Sequence, residues 1–173
     1  MHKSQTALPT GHELSGVSPA TLRQVAGTFI TGVTVVTTLV DSQPYGCAAN
    51  AVSSLSLNPP TMLVCLARTS NTHSHLIRSG RFAINILGDS AESREICRIF
   101  ASKSEDKFSN IDYRHGRAGV PILKQAIGWM ECQLSDAYDS GDHTIFIGKV
   151  VVAEATDGKP LAYFRGQFAT IDR

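Results

Sequence analysis

Hydrophobic positions change their spacing along the chain, and each change predicts a different element. Ser18-Pro19 is typical of an N-cap followed by proline at the first helical position. The apolar residues that follow lie at helical spacing and predict a short amphipathic helix: Leu22, Val25, Ala26 and Phe29. From Val33 onward the residues are β-branched and nearly continuous, which indicates a strand. The polar segment before the helix, residues 1–17, is expected to be a flexible N-terminal arm.

Turn signals divide the middle of the chain into short elements. A strand from Val33 and a second strand from Tyr45 predict a hairpin with its turn at 41–44. Asn58-Pro59-Pro60 forces another turn. β-branched and apolar runs predict further strands at 53–57, 62–67 and 81–87. Helical spacing predicts amphipathic helices at 71–79 and 90–101.

The last third of the chain predicts a long hairpin. Residues 102–119 are polar and indicate a long loop, a kind of segment that tends to be functional. Apolar and polar residues alternate over 127–137, and a second strand at 143–155 follows a turn at 138–143. Strands of about eleven residues are typical of a barrel. Residues 163–165 predict a last short strand.

The order of these elements favours an antiparallel fold. Strands and helices do not alternate regularly, which disfavours a doubly wound parallel sheet. A mostly β fold with peripheral helices packed outside an antiparallel barrel fits better. The length of 173 residues suits one domain, which we expect to cover residues 18–173.

Composition excludes several classes of partner. The net charge is +1 and charged residues make up 18% of the chain, so a nucleic-acid groove is not expected. No apolar run approaches the roughly 18 residues of a membrane span, and no signal peptide is evident. None of the cysteines has the spacing of a metal site, so we expect no metal and a reduced cytoplasmic protein with buried thiols: Cys47, Cys65, Cys97 and Cys132.

Common catalytic motifs are missing from the sequence. It contains no G-x-G-x-x-G turn, no P-loop and no G-x-S-x-G elbow. His73 and His75 lie two residues apart on a predicted helix, which favours solvent-facing histidines over a metal site. Such a chain can still catalyse a reaction in which bound cofactors carry the chemistry and the protein supplies their positions.

A series of blocks, in order, resembles the small flavin reductase components of two-component flavin-dependent monooxygenases, which have the FMN-binding split barrel. The blocks are FITGVTVVTT (29–38), YGCAANAVSSLSLNPPTMLVCL (45–66), RTSNTHSHL (68–76), FAINIL (82–87), SEDKF (104–108), GDHTIFIGKV (141–150) and LAYFRGQF (161–168). The resemblance covers nearly the whole chain after the arm and implies an antiparallel split β-barrel.

The resemblance also implies an activity. The chain is expected to be an NAD(P)H-dependent flavin reductase that reduces FAD or FMN by hydride transfer, with FAD and NADH favoured and NADPH possible. The reduced flavin would leave to serve a partner monooxygenase. Members of this family are usually homodimers, and the low charged fraction is compatible with a surface covered by a second copy.

The matching positions imply a set of site residues. The flavin-edge loop would be formed by Thr31, Gly32, Val33 and Thr34. The segment along the ring and ribityl chain would be formed by Asn50, Ala51, Val52, Ser53 and Ser54. The strand end beneath the flavin would be Cys65, Leu66 and Ala67, followed by a phosphate-side turn with Arg68, Ser70, Asn71 and Thr72. Further cofactor contacts are expected from Lys107, Phe108, Gly141, Asp142, Tyr163, Phe164 and Arg165. His143 would place the nicotinamide and is the implied catalytic residue.

Other interpretations of these residues remain open at this point. Gly32 could simply end a helix, and His143 could be a solvent-facing turn residue. The same flavin loops would serve a flavin carrier or sensor without turnover, which would not need His143. A split-barrel oxidase that acts on a small organic substrate is a further alternative.

Overall fold

The structure is a computed structural model that describes residues 16–171. The arm predicted for residues 1–17 therefore lies almost entirely outside the described residues. The helices are α1 (Pro19–Ala26), α2 (Asn71–Ser79) and α3 (Ala91–Ala101). The strands are β1 (Thr31–Gly32), β2 (Thr34–Val40), β3 (Gln43–Ala49), β4 (Val52–Leu57), β5 (Pro60–Ala67), β6 (Arg81–Leu87), β7 (Tyr113–His115), β8 (Pro121–Leu123), β9 (Ala126–Ser140), β10 (His143–Ala155), β11 (Ala162–Phe164) and β12 (Gln167–Ala169).

Local sequence explains where the helices begin and end. The Ser18 hydroxyl accepts a hydrogen bond from the Thr21 amide at 3.1 Å, which satisfies one of the free amides at the start of α1. Ser90 does the same for α3 through the Ser93 amide at 3.0 Å. Helix α2 ends at Gly80, whose φ of +66° is the left-handed conformation that glycine adopts without strain. All three helices confirm sequence predictions.

Seven strands form one antiparallel sheet in the order β3-β2-β6-β9-β10-β5-β4. Its outer strands β3 and β4 do not pair with each other, so hydrogen bonds do not close the sheet into a ring. Asn50 and Ala51 nevertheless connect those two strands directly, and both edges meet at that link. This is the predicted fold: mostly β, antiparallel, a split barrel with helices outside it.

The main core lies inside the curved sheet. Its buried members come from six strands and α2, and they include Val36, Val64, Leu76, Phe82, Ile84 and Phe146. Gly148 of β10 faces this core, because a Cβ placed there would lie 2.5 Å from the Phe82 ring and 2.7 Å from the Cys132 Cβ. A second core cluster lies beneath α3 and includes Val35, Ile96, Phe100 and Leu161.

Several predicted strand limits were wrong. Only Asp41 and Ser42 form the first hairpin turn, both with positive φ, while Gln43 and Pro44 already pair within β3. The polar stretch 102–119 is not entirely loop, because β7 pairs there with β8. The last predicted strand stops at Phe164, since Arg165 turns the chain with φ +48° and β12 then pairs back onto β11.

Three predictions about burial also differed from the structure. Helix α1 ends at Ala26, before Phe29, and none of its residues is buried: its apolar side faces outward instead of packing on the barrel. His73 and His75 are each half-buried, and both contact side chains outside α2. Cys47, Cys97 and Cys132 are buried as expected, whereas Cys65 is only partly covered.

Within residues 16–171, no helix is long and apolar enough to cross a membrane. In the same range, no three side chains of His, Cys, Asp or Glu are grouped as they would be around a metal ion.

Candidate functional site

Backbone pairing joins the first predicted site segments to one another. Thr31 of β1 lies opposite Tyr163 of β11. At the start of β2, the Thr34 hydroxyl donates to the Ala49 carbonyl at 2.6 Å. The Ala51 carbonyl in turn accepts from the Cys65 amide of β5 at 2.9 Å. The closing block, the flavin-edge loop and the Asn50 segment therefore form a continuous run of neighbours.

The same run continues to the tip of the long hairpin. His143, the first residue of β10, lies opposite Ala67, the last residue of β5. One residue later, the Arg68 amide donates to the Asp142 carbonyl at 3.0 Å. The two-residue turn at Gly141 and Asp142 depends on glycine, because Gly141 has a φ of +59°. The Gly141–His143 tip and the turn that starts at Arg68 are thereby held side by side.

Two adjoining hollows surround Tyr163, and we call them together the Tyr163 cleft. One has a volume of about 530 Å³, the other about 750 Å³, and they share Asn50, Tyr163 and Gly166. The walls include small residues and backbone, in particular Val33, Ala48, Ala49, Gly27 and Thr31. Small side chains let a planar ring lie against the chain, so the shape of this cleft suits a flat aromatic ligand.

Thr31 supplies a polar group to the cleft. Its hydroxyl oxygen is buried and has no hydrogen-bond partner among the described residues. A buried hydroxyl without a partner is costly, and a ligand polar atom would satisfy it. Gly32 also has open space around the position a Cβ would occupy. These two residues fit a flavin edge approaching β1.

A second cavity of about 530 Å³, which we call the outer cavity, lies between β3, α2 and the 104–108 segment. The rings of Tyr45 and His75 stack on its wall with centroids 3.5 Å apart and planes inclined by 12°. Asn71, Lys107 and Phe108, all predicted site residues, also line it. Part of the predicted phosphate-side turn, Asn71 and Thr72, and the predicted outer cover of a dinucleotide therefore face the same space, whereas Arg68 and Ser70 do not line it.

Two of the predicted residues there are already engaged by the protein. The Lys107 ammonium donates to the Phe100 carbonyl at 3.0 Å and to the Gly46 carbonyl at 3.4 Å, and burial lowers its pKa. Thr72 is buried. Burial raises the pKa of the Cys47 thiol, and the neighbouring Thr72 and Ser70 side chains partly offset that shift. Lys107 therefore holds β3 and α3 together as well as lining the cavity.

His143 stands apart from both hollows. Its side chain is 46% exposed and its Nδ1 lies 2.7 Å from the Asp142 carboxylate. That hydrogen bond lowers the pKa of Asp142. A nitrogen held by Asp142 leaves Nε2 and the ring face open to a ligand. His143 is thus presented at the surface, beside the flavin-side segments but outside the clefts themselves.

The remaining predicted residues divide by exposure. Leu66 is buried in the main core, so only its backbone can face a ligand, and Val52 packs against the same core. Ser53 and Ser54 on edge strand β4 are exposed, as are Arg68, Phe164 and Arg165. The Arg165 guanidinium lies 5.2 Å from the centre of the Phe164 ring.

Sequence reasoning missed several residues that line these spaces. In the Tyr163 cleft they include Ala48, Ala49, Cys97, Arg98 and Phe168, and from α1 Arg23 and Gln24. In the outer cavity the main omissions are Tyr45 and His75. The available signal was the position of α1 directly before the glycine-containing loop at Gly32, because a helix beside that loop can bring polar residues such as Arg23 to the cleft.

Comparison with known proteins identifies relatives of the chain. The family model described as "Flavin reductase like domain" matches residues 26–172. A flavin reductase relative from Rhizobium meliloti is 41% identical over 153 residues, covering 88% of this chain and 49% of its own length. This chain therefore spans about half the length of that relative.

Two further relatives are covered more completely. The reductase component of 4-nitrophenol 4-monooxygenase/4-nitrocatechol 2-monooxygenase from Rhodococcus opacus is 39% identical, with 90% of this chain and 82% of the relative matched. Among solved structures, the NADH:FAD oxidoreductase SgcE6 of Streptomyces globisporus, in complex with NAD and FAD fragments, superposes with a TM-score of 0.83. It is 35% identical, and the match covers 92% of this chain and 98% of that one.

Proposed function

The chain belongs to the flavin reductase like domain family, and on that premise we propose that it is an NAD(P)H:flavin oxidoreductase that supplies reduced flavin to a partner monooxygenase. The observation that supports the proposal is the series of strand pairings and hydrogen bonds from Tyr163 through Thr34 and Ala51 to His143. The Tyr163 cleft, which suits a planar ring, is thereby connected to the exposed His143, which suits a nucleotide.

The protein's part in this reaction is positional. A bound flavin and a nicotinamide nucleotide would supply the hydride chemistry, and the protein would hold them in position. Asn50 and the small side chains of Ala48 and Ala49 would bound one side of the ring and keep water from it. The Thr31 hydroxyl, which is buried and has no partner among the described residues, would orient a polar edge of the ring.

His143 serves the second substrate. Its Asp142 contact orients the imidazole at the hairpin tip, and its open Nε2 or ring face holds the nucleotide against the flavin side. Hydride transfer requires reacting atoms about 3–3.5 Å apart, so a residue that fixes the nucleotide's position affects the rate strongly.

The outer cavity favours FAD over FMN. FAD differs by an adenosine monophosphate unit, which requires room and a flat surface beyond the ring site. The stacked pair of Tyr45 and His75 offers that surface, and the nearby amides at the start of α2 attract phosphate. The relative named an NADH:FAD oxidoreductase supports the choice of FAD and of NADH.

The same proposal includes a homodimer, a single domain over residues 18–173 and a cytoplasmic location. Support for the dimer comes from the exposed apolar side chains on and after α1: Leu22 is 59% exposed, Val25 62% and Phe29 78%. An apolar face of this kind beside the Tyr163 cleft is typical of a surface covered by a partner.

The test is a steady-state assay of the purified full chain with FAD or FMN crossed with NADH or NADPH. We expect the fastest oxidation with NADH and FAD. A His143→Ala variant should keep the flavin affinity of the parent while kcat/KM for NADH falls by about tenfold or more, since positioning contributes strongly to rate. If the parent chain does not accelerate NAD(P)H oxidation with any flavin, the proposal is wrong. Equal activity in His143→Ala would remove His143 from the site.

A further inference from the structure

The tip of the long hairpin is exposed to solvent. All side chains from Ala137 to His143 are exposed, and the Asp142 side chain that contacts His143 is itself 94% exposed. A two-residue turn with exposed flanks is a segment that opens easily. Positioning a nucleotide from this tip requires an anchor further down the hairpin.

Thr144 is the first buried side chain behind the tip. It is 2% exposed and directly follows His143. Because successive side chains of a strand point to opposite faces, Thr144 points inward where His143 points outward. Its hydroxyl donates to the Asp139 carboxylate, opposite it on β9, at 2.6 Å.

The same hydroxyl meets His73 of α2. His73 Nε2 lies 2.8 Å from Thr144 Oγ1. A hydroxyl has one proton, and here that proton goes to Asp139, so His73 must be the donor to Thr144. The chain of donors therefore runs from His73 Nε2–H to Thr144 and from Thr144 O–H to Asp139, with His73 in the tautomer protonated on Nε2.

The His73 ring is fixed on its other side as well. It packs edge-on against Phe146 of the main core, with ring centroids 5.1 Å apart. Burial lowers the pKa of His73, with the Asp139 carboxylate opposing and Arg68 assisting that shift. A neutral imidazole is consistent with the donor role.

We infer that His73, Thr144 and Asp139 form a hydrogen-bonded anchor that ties the hairpin tip to helix α2, and that His73 is a positioning residue for the nicotinamide nucleotide. Helix α2 directly follows the turn at Arg68, whose amide bonds the Asp142 carbonyl. The anchor thus fixes the tip relative to the flavin side of the site through a side chain that lines neither the Tyr163 cleft nor the outer cavity. The role in nucleotide binding rests on the proposed function, whereas the anchoring itself does not.

The experiment compares two pairs of substitutions. His73→Phe keeps the ring against Phe146 and removes the donor, and His73→Gln restores an N–H donor on a side chain of similar reach. Thr144→Val removes the hydroxyl at constant shape, and Thr144→Ser keeps it.

Ser74→Ala, on the exposed side of α2, is the control for changes in that helix. Thr37→Val removes a buried hydroxyl that donates to Pro121 elsewhere in the sheet, and it controls for general loss of stability.

The first readout is amide hydrogen exchange of the free protein over residues 139–145. We expect faster exchange there in His73→Phe and Thr144→Val, with parent-like exchange in His73→Gln, Thr144→Ser and both controls. The second readout is steady-state kinetics. In the two disrupting variants the KM for NADH should rise about 2- to 10-fold, as loss of one hydrogen bond allows, while the KM for FAD stays constant.

Different failures have different meanings. Unchanged exchange in both disrupting variants overturns the anchor, as does equal acceleration in Thr37→Val, because the effect is then global. Accelerated exchange with an unchanged KM for NADH overturns the positioning role. If the parent chain has no reductase activity, the proposed function fails, and exchange over 139–145 alone then decides for or against the anchor.

Discussion

Tyr45 and His75 stack almost parallel on the wall of the outer cavity, with ring centroids 3.5 Å apart. They come from different elements, β3 and α2, and both line the cavity together with Asn71. His75 is also held by the Asn71 carbonyl at 2.6 Å from Nδ1. The pair is therefore preformed before any ligand arrives.

The stacking of Tyr45 on His75 predicts a preference for FAD over FMN, which a substitution of His75 should reduce. His75→Ala removes half of the stacked surface, so the KM for FAD should rise about 2- to 10-fold, the value of one aromatic contact. The KM for FMN, which has no adenosine to place there, should not change. The measurement is a steady-state titration of both flavins at saturating NADH, with Ser74→Ala as the control. A parallel rise for FMN would contradict the assignment of the cavity.

Removal of the Thr31 hydroxyl should weaken the binding of both FAD and FMN. Thr31→Val keeps the shape of the side chain and removes the buried, unpartnered hydroxyl. Binding of FAD and of FMN should weaken by about 5- to 10-fold, since a hydrogen bond to the ring edge is lost. Without ligand, the variant should be at least as stable as the parent, because the unsatisfied group is gone. Quenching of flavin fluorescence and urea unfolding check both statements, and unchanged flavin affinity would exclude Thr31 from the site.

The buried Glu131 carboxylate makes the stability of the protein sensitive to a substitution at Gly116, far from the cleft. Its carboxylate is fully buried and accepts the amides of Arg117 at 2.8 Å and Ala118 at 2.9 Å. Gly116 packs against the same carboxylate so closely that an added Cβ would overlap Glu131 Oε1. Gly116→Ala should therefore lower the free energy of unfolding by about 2–4 kcal/mol, as overpacking beside a buried charge does.

The control for Gly116 is Gly16→Ala, where a Cβ meets no neighbouring atom. Urea unfolding of both variants measures the difference, and we expect the control to differ from the parent by less than about 0.5 kcal/mol. Equal stability of Gly116→Ala and the parent would show that the 116–118 loop moves away from Glu131 at little cost.

The pairing of Asp89 with Arg94 should make the stability of the protein depend on pH. The Arg94 guanidinium, with donors 2.7 Å and 3.2 Å from Asp89 Oδ1, lowers the pKa of that carboxyl, assisted by Thr170. A carboxyl whose folded pKa is depressed stabilises the fold above its unfolded pKa of 3.8, and this stabilisation is lost as the pH falls through the folded value.

Arg94→Met should therefore destabilise the protein at pH 7, with the difference from the parent shrinking as the pH falls below 3.8. Thermal unfolding across pH 3 to 7 measures this, and Arg98→Met is the control because the Arg98–Glu95 pair is largely exposed. A difference that stays constant with pH would attribute the effect to lost packing of the arginine.

Many helices and strands of this fold could be predicted from local sequence. The cap at Ser18, the helix over 71–79 and the strand over 81–87 were all predicted from spacing and caps, because these signals act within a few residues. The family pattern likewise selected the segments that the structure joins around Tyr163 and His143.

Which apolar side of a helix is covered by the barrel was decided only by the tertiary structure. Hydrophobic spacing indicates that a side is apolar, but not whether the barrel covers it, and α1 shows the difference with its exposed Leu22 and Val25. The contacts of His73 with Thr144 and of Tyr45 with His75 join residues far apart in sequence, so no local pattern could predict them. The sequence by itself determined most of the helices and strands and the family, because those signals are local. Only the folded chain decided the pairing of β7 with β8 and of β11 with β12, which side chains line the cavities and which ones hold the hairpin.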